Sequence, residues 1–231
     1  MKLYIGNKNY SSWSMRPWVL MRQLGIDFEE VMIRFDGFEP DSAFKIATRA
    51  LHPAATVPIL EDEGLEDEGV VIADTLAITE YLAERHDGIW PQDHFDRAEA
   101  RVLCATMHAG FSALRACCPM NIEADLPKVG ARLLADHPAL VAELDLLEDL
   151  LAPYLDGEGF LFGGYSAADA FYAPVMTPLK TYHLPMSSRL ATYQSRVLAA
   201  EATKTWIADA LEERDFLPFE EPYRDGSKSN K

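Results

Sequence analysis

Serines stand at positions 11, 12 and 14 of the stretch "NYSSWSMRPWVLM", with Arg16, Pro17 and an apolar run directly behind them. Serine is weak inside a helix and strong at its start, so a helix opens here. Proline has no N–H and is tolerated within the first turn only. With Ser14 as the N-cap, Pro17 falls at the third helical position, where a missing donor costs nothing. Ser14 is therefore the expected cap, with Ser11 and Ser12 in the loop before it. A helix start carries unpaired N–H groups and the positive end of the macrodipole. A hydroxyl in that loop can donate to an anion, and a thiolate is such an anion because helix N-termini favour it over the thiol. The alternative is that all three serines are plain turn and cap residues. The stretch alone leaves both open.

Three more stretches combine chemistry-bearing residues with an element boundary. In "ATVPIL", Val57 precedes Pro58 where a strand begins; an X-Pro bond there is either cis, exposing the Val57 main chain to a ligand, or an ordinary trans proline at a strand edge. In "IADTLAITEYL", Asp74 and Thr75 sit where a strand turns into a helix. They either cap that helix or hold the ends of a ligand, Asp74 an ammonium and Thr75 a carboxylate. In "GGYSAADAFYAP", Ser166-x-x-Asp169 before an apolar run is a capping box, which makes Asp169 a folding residue. Further on, Met107, His108, Phe111, Leu114 and Arg115 recur at spacings of three and four, one face of a helix. Such a face is core, or it lines a cleft where His108 and Arg115 meet an anionic co-substrate.

The elements that must carry these residues change character partway along the chain. "KLYIG" reads as a strand, "RPWVLMRQLG" as a helix ending at Gly25, and 28–35 as a second strand. A short helix in "PDSAFKIATRA", strands at 56–60 and 69–74 around an acidic turn at 61–68, and a helix at 74–86 complete a β-α-β-(α)-β-β-α order. After the turn-rich "DGIWPQD", strand signals give way to amphipathic helices over 97–118, 139–155, 166–182 and 189–214. The expected architecture is α/β + all-α: an α/β domain at 1–86, a linker at 87–93, and an all-helical domain at 94–231 with a polar, mobile tail.

The chain of 231 residues has 37 acidic against 21 basic side chains, a net charge of −16. That field disfavours nucleic acid and anionic membrane surfaces as partners. No apolar run is long enough to span a bilayer, and the first residues do not resemble a signal peptide. Cys104, Cys117 and Cys118 lie in one stretch without zinc spacing, so no metal is expected and a cytoplasmic setting is.

Taken in order, "SSWSMRPW", "HPAATVPIL", "ADTLAITEYL" and the Ser-x-x-Asp box resemble the cytosolic glutathione S-transferases, to about residue 215, and most closely the serine-type zeta and theta-like bacterial members. The resemblance implies a thioredoxin-like domain followed by an all-helical one, glutathione as co-substrate, a small hydrophobic electrophile as its target, and a homodimer. By matching positions, it places the hydroxyl donating to the sulfur at Ser12 (theta-like) or Ser11 (zeta). Val57, beside a cis Pro58, would pair with the cysteinyl backbone, and Asp74 and Thr75 would hold the γ-glutamyl end. Arg16 and Ser14 belong to the same binding region, and Trp13, Met107, His108, Phe111 and Arg115 to the co-substrate pocket. Trp13 occupies the place where zeta isomerases carry cysteine. His52 replaces the common asparagine, and Thr56 replaces the lysine or glutamine that donates to the glycyl end. The rival class is a GST-like interaction or ligand-storage module without chemistry. Within the enzyme class, glutathione-dependent isomerase and ether-cleaving lyase are the other options.

Overall fold

In the computed structural model, which describes residues 1–64 and 69–224, the first part of the chain forms one sheet with helices packed on it. The elements run β1 (Lys2–Ile5), α1 (Ser12–Gln23), β2 (Glu29–Met32), α2 (Ala43–Leu51), β3 (Ile59–Asp62), β4 (Val70–Ala73) and α3 (Thr75–Ala83). The strand order is β2-β1-β3-β4, with β1 parallel to β2 and antiparallel to β3, and β3 antiparallel to β4. The parallel pair needs a crossover, and α1 supplies it. Leu3 and Ile5 of β1 and Ile59 and Leu60 of β3 are fully buried, as are Met15, Val19 and Leu20 of α1.

Helices follow: α4 (His94–Ala109), α5 (Ser112–Cys117), α6 (Pro127–Asp136), α7 (Pro138–Leu151), α8 (Ala167–Thr181), α9 (Ser188–Ala199) and α10 (Glu201–Glu213). Central among them is α8, buried along nearly its whole length and packed against α1, α4 and α9. Its capping box forms, with the fully buried Asp169 accepting from the Ser166 N–H at 3.0 Å.

Four expectations change. The helix expected over 97–118 breaks after Ala109: Gly110 is extended and Phe111 is left-handed (φ 60°), and a new helix begins at Ser112. Glu143 of α7 makes the second start possible, accepting from the N–H groups of Ala113 and Leu114. The stretch 189–214 is likewise two helices, because Ala200 is extended (ψ 140°) and Gln23 of α1 accepts from the Ala202 N–H at 3.1 Å. Helix α6, opened by Pro127, was not expected at all.

The fourth concerns the tail. Of the tail at 220–231, residues 220–224 are pinned rather than mobile, as is Asp215 before them; 225–231 lie outside the described residues, as do 65–68 of the acidic turn. The single proton of Tyr10 Oη is shared between the Asp215 carbonyl (2.9 Å) and Glu221 (2.8 Å), and Tyr223 Oη donates to the Cys117 carbonyl (2.7 Å). Nearby, Glu213 accepts from the Lys8 N–H at 2.6 Å, and Asn7 donates to Asp215 at 2.7 Å. Lys8 itself is only 3% exposed, held between Glu30 (2.9 Å) and Asp209 (2.6 Å) and stacked on Trp18 and Trp206. The loop that leads into α1 is thus set by groups from the end of the helical region as much as by its own strand.

Candidate functional site

A cavity of about 590 Å³ opens between the sheet unit and the helices. One wall is the start of α1 with Ser11, Ser12, Trp13 and Arg16; the adjoining wall carries Thr56, Val57, Pro58, Asp74 and Thr75. Facing them are Met107, His108, Phe111, Leu114 and Arg115 from the break between α4 and α5. That break explains how residues read as one face of one helix all reach a single cavity. His108 and Arg115 face the cleft.

The helix start differs from the expectation. Ser11 is the N-cap of α1, Ser12 is its first residue, and Ser11 Oγ accepts from the Ser14 N–H at 3.4 Å. Ser11 Oγ in turn donates to Ser14 Oγ at 2.7 Å. Ser14 is fully buried, takes the Gly6 N–H at 3.1 Å, and does not reach the cavity; it ties the end of β1 to α1. Among the described residues Ser12 Oγ has no hydrogen-bond partner, and it lines the cavity. Of three hydroxyls, one is free.

Placing the cap at Ser11 puts Pro17 inside the helix, where it cannot donate to the carbonyl of Trp13. Thr75 supplies the missing donor from α3, its Oγ1 lying 3.4 Å from that carbonyl. The rule that kept proline to the first turn fails here because a neighbouring helix satisfies the orphaned acceptor. Thr75→Val should therefore destabilise the fold by about 1 kcal/mol. Combined with Pro17→Ala, which restores an N–H at position 17, most of that loss should disappear in chemical denaturation. Simply additive losses would refute the coupling.

Asp74, not Thr75, is the N-cap of α3, accepting from Leu76 (2.8 Å) and Ala77 (3.1 Å). Its φ of 100° is costly for a non-glycine residue, about 1–3 kcal/mol, and such strain concentrates at functional positions. The other carboxylate oxygen meets His108 Nε2 at 3.2 Å. As the first residue of α3, Thr75 has an N–H with no acceptor inside that helix.

The Val57–Pro58 peptide is cis. Among the described residues the Val57 main chain takes no ladder partner, because β3 begins at Ile59. Lys45 of α2 also reaches this wall, donating to the Ala55 carbonyl at 2.8 Å; sequence reasoning passed over it, although its place one turn into an amphipathic helix was readable. His52 turns inward to its own loop, Nδ1 accepting from the Ala54 N–H at 3.1 Å.

On the helical side Trp13 is surrounded by basic groups. The guanidinium carbons of Arg16 and Arg115 lie 4.3 and 4.5 Å from its ring centroid, and the His108 ring meets it edge-on at 5.2 Å. Burial, and then the charge of Arg115, lower Arg16 to about 9. Arg115 donates to the carbonyls of Gly110 and Met107, capping the end of α4. Cys118 lines the same cavity, but burial pushes its thiol up to about 12, so it is no nucleophile at neutral pH. Glu220, from the pinned tail, is raised to about 7 by burial and by Glu221. Among the described residues no three His, Cys, Asp or Glu side chains are grouped to hold a metal, and no helix is long and apolar enough to cross a membrane.

A thioredoxin-like sheet unit leading a helical one, with a cavity at their junction, is the fold of the glutathione S-transferases. Residues 10–85 match the family described as glutathione S-transferase, N-terminal domain. A glutathione transferase homologue from Burkholderia, solved with bound glutathione, aligns at 21% identity and TM-score 0.66, covering 91% of this chain and 97% of that one. A maleylacetoacetate isomerase from Methylobacterium extorquens, with bound malonate and glutathione, aligns at 22% and 0.62 over 94% and 98%. A glutathione transferase from Methylococcus capsulatus aligns at 23% and 0.62 over 91% and 98%. Comparison with curated proteins gives no match.

Proposed function

We propose that this chain binds glutathione as its thiolate and transfers it to a small electrophile, in the manner of a serine-type transferase. One observation carries the reading: a free hydroxyl, Ser12, at the mouth of α1 on the wall shared with Val57 and Asp74. In this reading Ser12 Oγ donates to the sulfur, and the α1 N-terminus adds its positive potential. Together they lower the thiol pKa, so the proton leaves to solvent before the electrophile arrives and no general base is needed.

The unpaired main chain of Val57 takes the cysteinyl backbone. Asp74 receives the γ-glutamyl ammonium, and the Thr75 N–H receives the carboxylate, the Thr75 hydroxyl being committed to Trp13. Lys45 supplies a cation for the glycyl end, in place of the donor that Thr56 lacks. A homodimer and a cytoplasmic setting belong to the same reading.

Glutathione titration, followed by thiolate ultraviolet absorbance, tests it. Saturation below millimolar concentration is expected, with affinity about tenfold weaker in Asp74→Asn, the loss of one charge-assisted contact of roughly 1.4 kcal/mol. The asparagine can still cap α3, so thermal stability should hold to within about 1 kcal/mol. No binding at millimolar glutathione would leave a ligand-storage or interaction module.

A further inference from the structure

Two guanidiniums that line the cavity, Arg16 and Arg115, form no ion pair among the described residues. Arg16 is 1% exposed, yet its Nε and Nη1 are buried without a hydrogen-bond partner. The nearest acid on the wall, Asp74, is already engaged by the start of α3 and by His108. His108 Nδ1 is a third buried polar atom without a partner. In a chain with 37 acidic residues, leaving these groups unpaired in one place is the exception, because a buried guanidinium without a counter-charge is costly. Both guanidiniums pack on the Trp13 ring, which lines the cavity beside them.

Resting on the transferase reading above, we infer that the co-substrate is an anion: a planar or unsaturated electrophile bearing a carboxylate, its flat part against Trp13 and its charge received by Arg115 and Arg16. Arginine is suited to this, since its planar fork matches a carboxylate and stacks on an aromatic ring at once. On the same wall as Arg115, the side chains of Met107, Phe111 and Leu114 are apolar and accommodate the uncharged remainder. The purely hydrophobic electrophile implied by the family resemblance is thereby replaced by an amphiphilic one.

A matched pair of probes tests the assignment: 4-chloro-3-nitrobenzoate and 4-chloro-3-nitrobenzamide. With either, the glutathione sulfur forms a bond to the ring carbon, chloride leaves with its electron pair, and the thiol proton goes to solvent. At saturating glutathione, kcat/KM for the benzoate, each normalised to its uncatalysed rate, should exceed that for the benzamide at least tenfold. The ratio should fall at least fivefold in Arg115→Gln and be largely kept in Arg115→Lys, which retains the charge.

Glutathione affinity is measured on the same variants. A parallel loss there would assign the cations to glutathione's own carboxylates and overturn the proposal, as would a wild-type ratio near one. If glutathione does not bind at all, titration with 3-nitrobenzoate against 3-nitrobenzamide, read by tryptophan fluorescence, decides the subsite separately. Preference for the benzoate that depends on Arg115 upholds an anion site while the transferase reading falls. Equal binding removes both.

Discussion

Ser12→Ala is expected to lower the rate of glutathione transfer by roughly 10²-fold, the usual cost of removing one donor aimed at a reacting anion. Ser11→Ala should lower it much less. The two hydroxyls differ in what they already do. Ser11 caps α1 and donates to Ser14, so its loss costs about 1 kcal/mol of stability. Ser12 has no partner within the described chain and lines the cavity, so its loss leaves the fold intact and the sulfur without its donor. The direct readout is the pH titration of bound glutathione's thiolate absorbance. In Ser12→Ala the thiol pKa should rise by about one to two units, each worth about 1.4 kcal/mol. Equal rates and equal thiol pKa values in the two variants would remove the assignment.

Asp169→Ala should cost about 3–4 kcal/mol of folding stability, since each buried donor left unsatisfied carries about 1–3 kcal/mol. The carboxylate is fully buried and receives the Leu161 N–H (3.1 Å), the Ser166 N–H (3.0 Å), Ser166 Oγ (3.3 Å) and Tyr193 Oη (3.0 Å). It therefore joins the loop before α8, the first turn of α8, and α9. Burial raises the carboxyl to about 6 against this set of donors. A carboxyl whose folded value lies above its unfolded one binds its proton more firmly in the native state. Its contribution to stability thus falls as pH rises from about 4 to about 6, and is constant above. Urea denaturation of wild type and of Asp169→Asn across that range isolates the effect. A loss under about 1 kcal/mol in the alanine variant would show the network to be dispensable.

Most of the α/β order was readable in the chain because strands bounded by glycine and proline, and helices opened by Ser42, Asp74 and Ser166, carry their own local signals. What local signals do not carry is a partner from elsewhere. Ser14 was the natural cap only while Pro17 had to stay in the first turn, and that constraint disappears once Thr75 takes the Trp13 carbonyl. The breaks at Gly110 and Ala200 likewise depend on Glu143 and Gln23, residues far away in the chain. Composition alone made 220–231 look like a free tail, because nothing in "EEPYRDG" reveals that Tyr10 is waiting for Glu221. Ser12, Val57, Asp74, His108 and Arg115, singled out by their motifs, line one cavity, whereas Lys45 and Glu220 enter it through packing that no motif encodes.

The pinned loop at residues 7–10 has a consequence for how the molecule matures. Besides Glu30 and Asn121 its partners include Trp206, Asp209, Glu213, Asp215 and Glu221, so the loop between the first strand and the first helix waits for residues 206–221 to be in place. A nascent polypeptide lacking those residues would own a sheet and a first helix but no fixed approach to Ser12. The approach to Ser12 is therefore fixed by contacts that reach across the chain, from Lys8 to Trp206 and Glu213.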